Sequence, residues 1–261
     1  MKKLIYTFMA GALLMAACGN GQQTEQSYSN HTEICPVKVD SLGYLAEEQC
    51  RLIGTDYITL EVEDALNVVM HDSVQRPRVV AERQKDIDML HISLEGGTLN
   101  ISREGNGFSK GITLYLPLCP TLSTVEVEDA STFSGTLLAS GRVRLEADGA
   151  SRLQATLANK VESVSVESEG ASKVIARGEA ERLTVEADGN SHANMSDLRV
   201  RTAEVDLEGA GCSKVNASER ISGSVDGASH LMYLGNPALS VKQDGASRVN
   251  QIAEGDKYKQ F

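Results

Sequence analysis

The chain has 261 residues, enough for one large or two ordinary domains, and is 41% hydrophobic and 4% aromatic, with 23 glycines and no tryptophan. Its formal net charge of -11 argues against nucleic acid as a partner, because phosphate binding needs a basic surface. The same charge disfavours spontaneous adhesion to anionic membranes.

Residues 1–17 read as a targeting signal. Lys2 and Lys3 form a positive start, Leu4 to Met15 are apolar, and Ala16-Ala17 precede Cys18. The apolar run is too short to span a bilayer, which takes roughly 20 residues. Leu14-Met15-Ala16-Ala17-Cys18 resembles the lipobox of bacterial lipoproteins, which implies cleavage before Cys18 and a lipid on its thiol. Residues 18–34 then read as a flexible polar tether, and an outer-membrane lipoprotein is the expectation, facing either the periplasm or the outside.

Export implies an oxidising compartment, in which cysteines pair. Cys35 and Cys50 share the irregular segment 35–56 and are expected to form a disulfide, which closes a loop and contributes about 3 kcal/mol. Cys119 and Cys212 fall inside strand patterns and are expected as small buried hydrophobes. No spacing resembles a zinc site, and no metal or cofactor is expected. Leu42, Tyr44, Leu45 and Leu52 in the irregular segment are expected to cover one end of a core.

Period-two alternation begins at Tyr57. Ile58, Leu60 and Val62 are placed on one face, and Leu90, Ile92 and Leu94 run into the turn Glu95-Gly96-Gly97, with Leu99 and Ile101 beyond it, a hairpin signal. Ile112, Leu114 and Leu116 form another strand. From Ser123 a unit repeats. Corners align at Asp129, Gly149, Gly170, Gly189, Gly211, Gly227 and Gly245, with Ser131, Ser151, Ser172, Ser191, Ser213, Ser229 and Ser247 two residues after them. Four residues before six of the seven corners stands Val or Leu.

A unit this short has no core of its own and must stack. The fold class that follows is all-β: a single-stranded parallel β-helix, or β-solenoid, with coils of about 18–21 residues, spanning residues 57–252, with 253–261 as a tail. Propeller blades need about 40 residues, and an antiparallel sandwich gives no reason for a serine in register.

In such a stack the corners carry two columns. One residue before the corner lies an acid: Asp148, Glu169, Asp188, Asp226, Asp244 and Glu128, with Ala210 breaking the series. Three residues after it lies a basic residue or His: Arg152, Lys173, His192, His230, Arg248 and Lys214. Stacked like charges repel, and the neighbouring column of opposite sign is expected to relieve this. The columns either keep the corner solvated or form a binding face for a repetitive polymer. The serines are expected to satisfy backbone groups at the bend. A catalytic residue should break a repeat, whereas these residues make it, and no G-x-S-x-G elbow is present. Catalysis is not expected; a carbohydrate-active β-helix is the enzyme alternative, lacking loops to wall a groove.

The order Val62, Asp64-Ala65, Val68, then Leu99-Asn100-Ile101-Ser102, then Ile112-Thr113-Leu114-Tyr115-Leu116-Pro117, then Val125 to Ser131 and the serial Gly-Ala-Ser corners, resembles the head GIN domain family of auto-transporter adhesins over about residues 57–252. The resemblance implies a parallel β-helix head, an extracytoplasmic location and adhesion, and it carries over no catalytic residue. No barrel pattern follows the repeats, so the lipid is expected to serve as anchor. Partners implied are the membrane through that lipid and a glycan, matrix or envelope polymer. The alternative is a periplasmic structural or polysaccharide-binding protein. Open stack ends make a homo-oligomer a further expectation.

Overall fold

The computed structural model describes residues 31–34, 37–54, 56–104 and 111–256. Cys18 and Cys35 lie outside them. In chain order the N-terminal part contains β1 (His31–Ile34), α1 (Glu47–Ile53), β2 (Thr59–Val62), β3 (Asn67–Met70), β4 (Arg78–Val80) and α2 (Gln84–Ile87). There follow β5 (Leu90–Glu95), β6 (Thr98–Arg103), β7 (Thr113–Leu116), β8 (Thr124–Val127) and β9 (Thr132–Leu137). The repeats supply β10 (Arg142–Ala147), β11 (Arg152–Leu157), β12 (Val161–Ser168), β13 (Lys173–Ala187), β14 (His192–Leu207) and β15 (Cys212–Val225). The chain closes with β16 (His230–Leu234), β17 (Ala238–Gln243) and β18 (Arg248–Gln251).

The architecture is a parallel β-solenoid. One sheet stacks the strands that enter each corner: β6, β2, β8, β10, β12 and the later halves of β13, β14 and β15, then β17. The other stacks the strands that leave it: β7, β3, β9, β11, the earlier halves of β13, β14 and β15, then β16 and β18. Alternation sends every second side chain inward, so Leu60, Val125, Leu145, Val166, Val185 and Val205 form one buried column, and Val68, Phe133, Leu153, Val174 and Ala193 the facing one.

The first coil is out of sequence order. β2 pairs in parallel with both β6 and β8, and β3 with both β7 and β9. Residues 59–70 therefore lie between two coils that follow them in the chain. Beyond β6 and β7 the parallel stack stops: β5 pairs antiparallel with β6, β1 with β5, and β4 with β7. The Gly96-Gly97 turn of the β5–β6 hairpin has positive φ at both residues, as a two-residue hairpin turn requires. Leu45 and Ile53, beside and on α1, are buried in the same core and close this end.

Three expectations shift. Ile58 is 56% exposed while Tyr57 is buried. A bend at Ile58, whose carbonyl accepts both Ser123 N–H and Thr124 N–H, changes the phase of the alternation. Leu42 is exposed rather than a core cover. Cys50 is a free thiol: its Sγ donates to Leu45 O at 3.3 Å and lies 3.5 Å from Arg76 Nε. Cys35, the partner expected for it, is outside the described residues.

The far end is open among the described residues. In β17 and β18 the positions that are buried in earlier coils hold Leu239, 46% exposed, and the partly exposed Val241 and Val249.

Candidate functional site: the charged corners

Each corner is a tight turn in which the residue at the bend has positive φ. From Gly170 onward the fit is doubly restrictive. A Cβ on Gly170, Gly189, Gly209, Gly227 or Gly245 would fall 2.4 to 2.8 Å from the carbonyl oxygen of the glycine one coil below. The residue after the bend donates its N–H to that same oxygen, as in Ala171 to Gly149, Asn190 to Gly170 and Ala210 to Gly189. The two earliest corners differ. Asp64-Ala65 and Asp129-Ala130 have positive φ at both residues, and Ala65 N–H donates to Asp129 O at 3.0 Å.

One corner is corrected. The bend of the fifth repeat is Gly209-Ala210, with φ +80 at Gly209, and Gly211 occupies the serine position: its added Cβ would meet Ser191 O at 2.8 Å. Ser213 therefore sits in the core column between Ala193 and Leu231, and Cys212 sits between His192 and His230 in the column expected to be basic. Cys212 is half-exposed there rather than a core residue, and burial pushes its thiol pKa up. Lys214 does not belong to that column; it pairs in register with Asn194 and Met232.

The serine hydroxyls divide. Ser131 Oγ accepts Leu66 N–H, Ser151 Oγ donates to Asp148 O, and Ser172 Oγ bonds Ser168 Oγ at 2.8 Å. Ser191, Ser229 and Ser247 are buried at Oγ with no hydrogen-bond partner, so backbone satisfaction explains only part of the column.

With the bend at Gly209 the acidic column has no gap. It runs Glu63, Glu128, Asp148, Glu169, Asp188, Glu208, Asp226 and Asp244, each backbone N–H from Glu128 onward donating to the coil below. The basic side stacks Arg152, Lys173, His192, Cys212, His230 and Arg248 in register. The two columns do not neutralise each other. Among the described residues, none of Asp148, Glu169, Asp188, Asp226 or Asp244 makes an ion pair with Arg152, Lys173, His230 or Arg248. Instead Asp148, Asp188 and Asp244 turn Oδ1 onto the N–H of the following glycine at 2.5, 2.5 and 2.7 Å. Burial lowers the His192 and His230 pKa values, with Lys173 and Arg248 respectively adding to the effect.

A second acidic column, absent from the sequence reading, lies two residues before the first. Glu61, Glu126, Glu146, Glu167, Glu186 and Asp206 are successive partners across β2, β8, β10, β12, β13 and β14. The two columns line shallow hollows of about 140 and 240 Å3, the first bounded by Glu167, Glu169, Glu186, Asp188, Asp206 and Glu208. Arg144 intrudes, pairing with Glu146 and with Glu167 at 3.0 Å. Glu63, Glu126, Glu128 and Glu169 are held above the usual carboxylate range, by partial burial first and by the neighbouring carboxylates second. Among the described residues no three His, Cys, Asp or Glu side chains converge as a metal set.

The opposite arrangement exists elsewhere on the same solenoid. Lys160, Glu181, Arg201 and Glu219 alternate in sign: Lys160 pairs with Glu181, and Arg201 bridges Glu181 at 3.4 Å and Glu219 at 2.8 Å. Hydrogen bonds from Lys160 and Arg201 pull the Glu181 and Glu219 pKa values down.

The fold is thus that of a repeat protein, a parallel β-solenoid whose like charges recur coil after coil along an extended face. The chain belongs to the family described as "Putative auto-transporter adhesin, head GIN domain", whose model matches residues 56–237. Solved structures of similar fold include a "putative adhesin" from Bacteroides fragilis, 16% identical, with a TM-score of 0.65 over 87% of this chain and 98% of that one. A "putative lipid binding protein" from Parabacteroides distasonis is 15% identical, with a TM-score of 0.55 over 87% and 98%. A "putative adhesin" from Parabacteroides merdae is 13% identical, with a TM-score of 0.54 over 87% and 97%. No curated protein matches the chain.

Proposed function

We propose that the protein is an adhesin head of the bacterial cell envelope, held to the membrane by a lipid on Cys18, that docks through its doubled carboxylate face onto basic protein or matrix surfaces. One contrast carries this reading. Where Lys160, Glu181, Arg201 and Glu219 stack, signs alternate and the repulsion is relieved. Glu126, Glu146, Glu167 and Glu186 are successive register partners and keep one sign through four coils, with Arg144 reaching only Glu146 and Glu167. Solubility alone is served by either arrangement. A uniform column adds long-range steering of a cationic partner, at the cost of self-repulsion. Binding rather than catalysis fits a face whose residues recur coil after coil.

The test replaces Glu126, Glu146, Glu167 and Glu186 by Gln together and measures attachment of cells to lysine-rich and matrix-protein surfaces at rising salt. Attachment should fall and lose its salt dependence; unchanged attachment sinks the docking face. Protease added to intact cells separates a surface head, which is cut, from a periplasmic structural or polysaccharide-binding role, in which it is protected.

A further inference from the structure

The N-terminal cap builds a cleft of different chemistry on the other sheet. Tyr44 bridges to Arg78, and Arg78 pairs in turn with Tyr115 of β7, so one arginine stands in register between two tyrosines brought together from distant parts of the chain. Asp40 positions the first of them: its Oδ1 accepts the N–H groups of Leu42 and Tyr44 at 2.9 and 3.1 Å. Arg76 and Arg78 place their guanidinium carbons 5.6 and 5.5 Å from the Tyr44 ring centroid, within cation–π range. Ser73, Val74 and Gln75 complete the lining of a cleft of about 500 Å3, within the range of small-molecule sites, about 300–1,000 Å3.

Both arginines are anchored, and among the described residues neither makes an ion pair. Arg78 Nε donates to Leu42 O at 2.8 Å, and among the described residues its Nη groups make no hydrogen bond. Arg76 spends Nη2 on Leu45 O and Nε on Cys50 Sγ. A planar pair of N–H donors matches a carboxylate in two-point contact, and tyrosine rings offer an apolar face with a polar rim. We propose that this cleft binds an acidic saccharide, with the carboxylate of a pyranose on the Nη groups of Arg78 and the sugar ring against Tyr115. The site is independent of the carboxylate face, and its ligand carries the opposite charge to the one proposed there.

Titration calorimetry of the full chain with a glucuronate disaccharide, its methyl ester and inorganic sulfate reads the proposal directly. The disaccharide should bind, and the ester should bind about tenfold or more weakly, since it loses the charged two-point contact. Arg78→Gln and Tyr115→Ala should each weaken the disaccharide by about tenfold, and Arg78→Lys by less than Arg78→Gln. The Gln variant of Glu126, Glu146, Glu167 and Glu186 should bind it unchanged, which separates this site from the docking face. Absence of disaccharide binding, equal binding of the ester, sulfate binding as tightly as the disaccharide, or indifference to both Arg78→Gln and Tyr115→Ala would each overturn the assignment. Should Arg78→Gln not fold, the ester comparison and Tyr115→Ala still decide.

Discussion

Ser131 Oγ accepts the N–H of Leu66 at 3.2 Å, a bond between residues 65 positions apart in the chain. It is made because the coil at 59–70 stacks directly on the coil at 124–137, and because Leu66 stands where later coils have serine. Both ends are buried. Ser131→Ala strands a buried donor and should cost about 1–3 kcal/mol in denaturant unfolding. Ser229→Ala removes a buried hydroxyl that has no partner and should leave stability unchanged or raise it. Equal losses in the two variants would show that the serine column acts by packing alone.

Two glycines with nearly equal φ separate backbone strain from stacking. Gly149 has φ +73, and its nearest neighbour to an added Cβ is Asp129 N at 3.7 Å; Gly189 has φ +75, and its added Cβ falls 2.7 Å from Gly170 O. Gly149→Ala should cost only the left-handed conformation, about 1–2 kcal/mol. Gly189→Ala must also push two coils apart, and its melting temperature should fall further.

The carboxylate face and the alternating column give opposite pH dependences. Glu63, Glu126, Glu128 and Glu169 have native pKa values raised above 4.5, so the folded state binds their protons more tightly than the unfolded chain does. Their contribution favours the folded state at low pH and is lost as pH rises through the native values. Glu181 and Glu219 are lowered; their contribution is present above 4.5 and is lost as pH falls. In urea titrations, Gln at Glu126 and Glu128 should stabilise the protein at pH 7 more than at pH 4.5. Gln at Glu181 should destabilise it at pH 7 and have less effect as the pH is lowered.

Lipidation is read by mass. The mature N-terminal peptide should begin at Cys18 and carry lipid, and Cys18→Ala should remove that mass and release the protein from membranes. An unmodified Cys18 peptide would refute the anchor.

The solenoid was legible because its inward and outward positions repeat with the coil. The Leu145, Val166, Val185 series and the corner acids need only alignment. The slip at Gly209-Ala210-Gly211 arose because two glycines two apart both fit the pattern, and Ser213 favoured the wrong one. The resemblance of Glu208-Gly209-Ala210 to Glu169-Gly170-Ala171 was the signal that separates them. The second acidic column was equally readable, since Glu126, Glu146 and Glu167 lie two residues before acids already aligned. The placing of Arg78 between Tyr44 and Tyr115 was not, because an irregular cap carries no period. Nor was the position of residues 59–70, although the shared Asp-Ala at 64–65 and 129–130 marks the two corners that stack.

That displaced coil sets the order in which the molecule can assemble. A simple solenoid lengthens as its chain emerges, each new coil covering the last. Here β2 and β3 have no lateral strand partner until β6 and β7 return over one side and β8 and β9 pass along the other. The β8–β9 coil gives one edge to β2 and β3 and the other to β10 and β11, so the first three coils hold one another and the later coils build on them. Once closed, the clasp leaves β2 and β3 with no edge to peel, and unzipping is left to start from the exposed rim at β17 and β18.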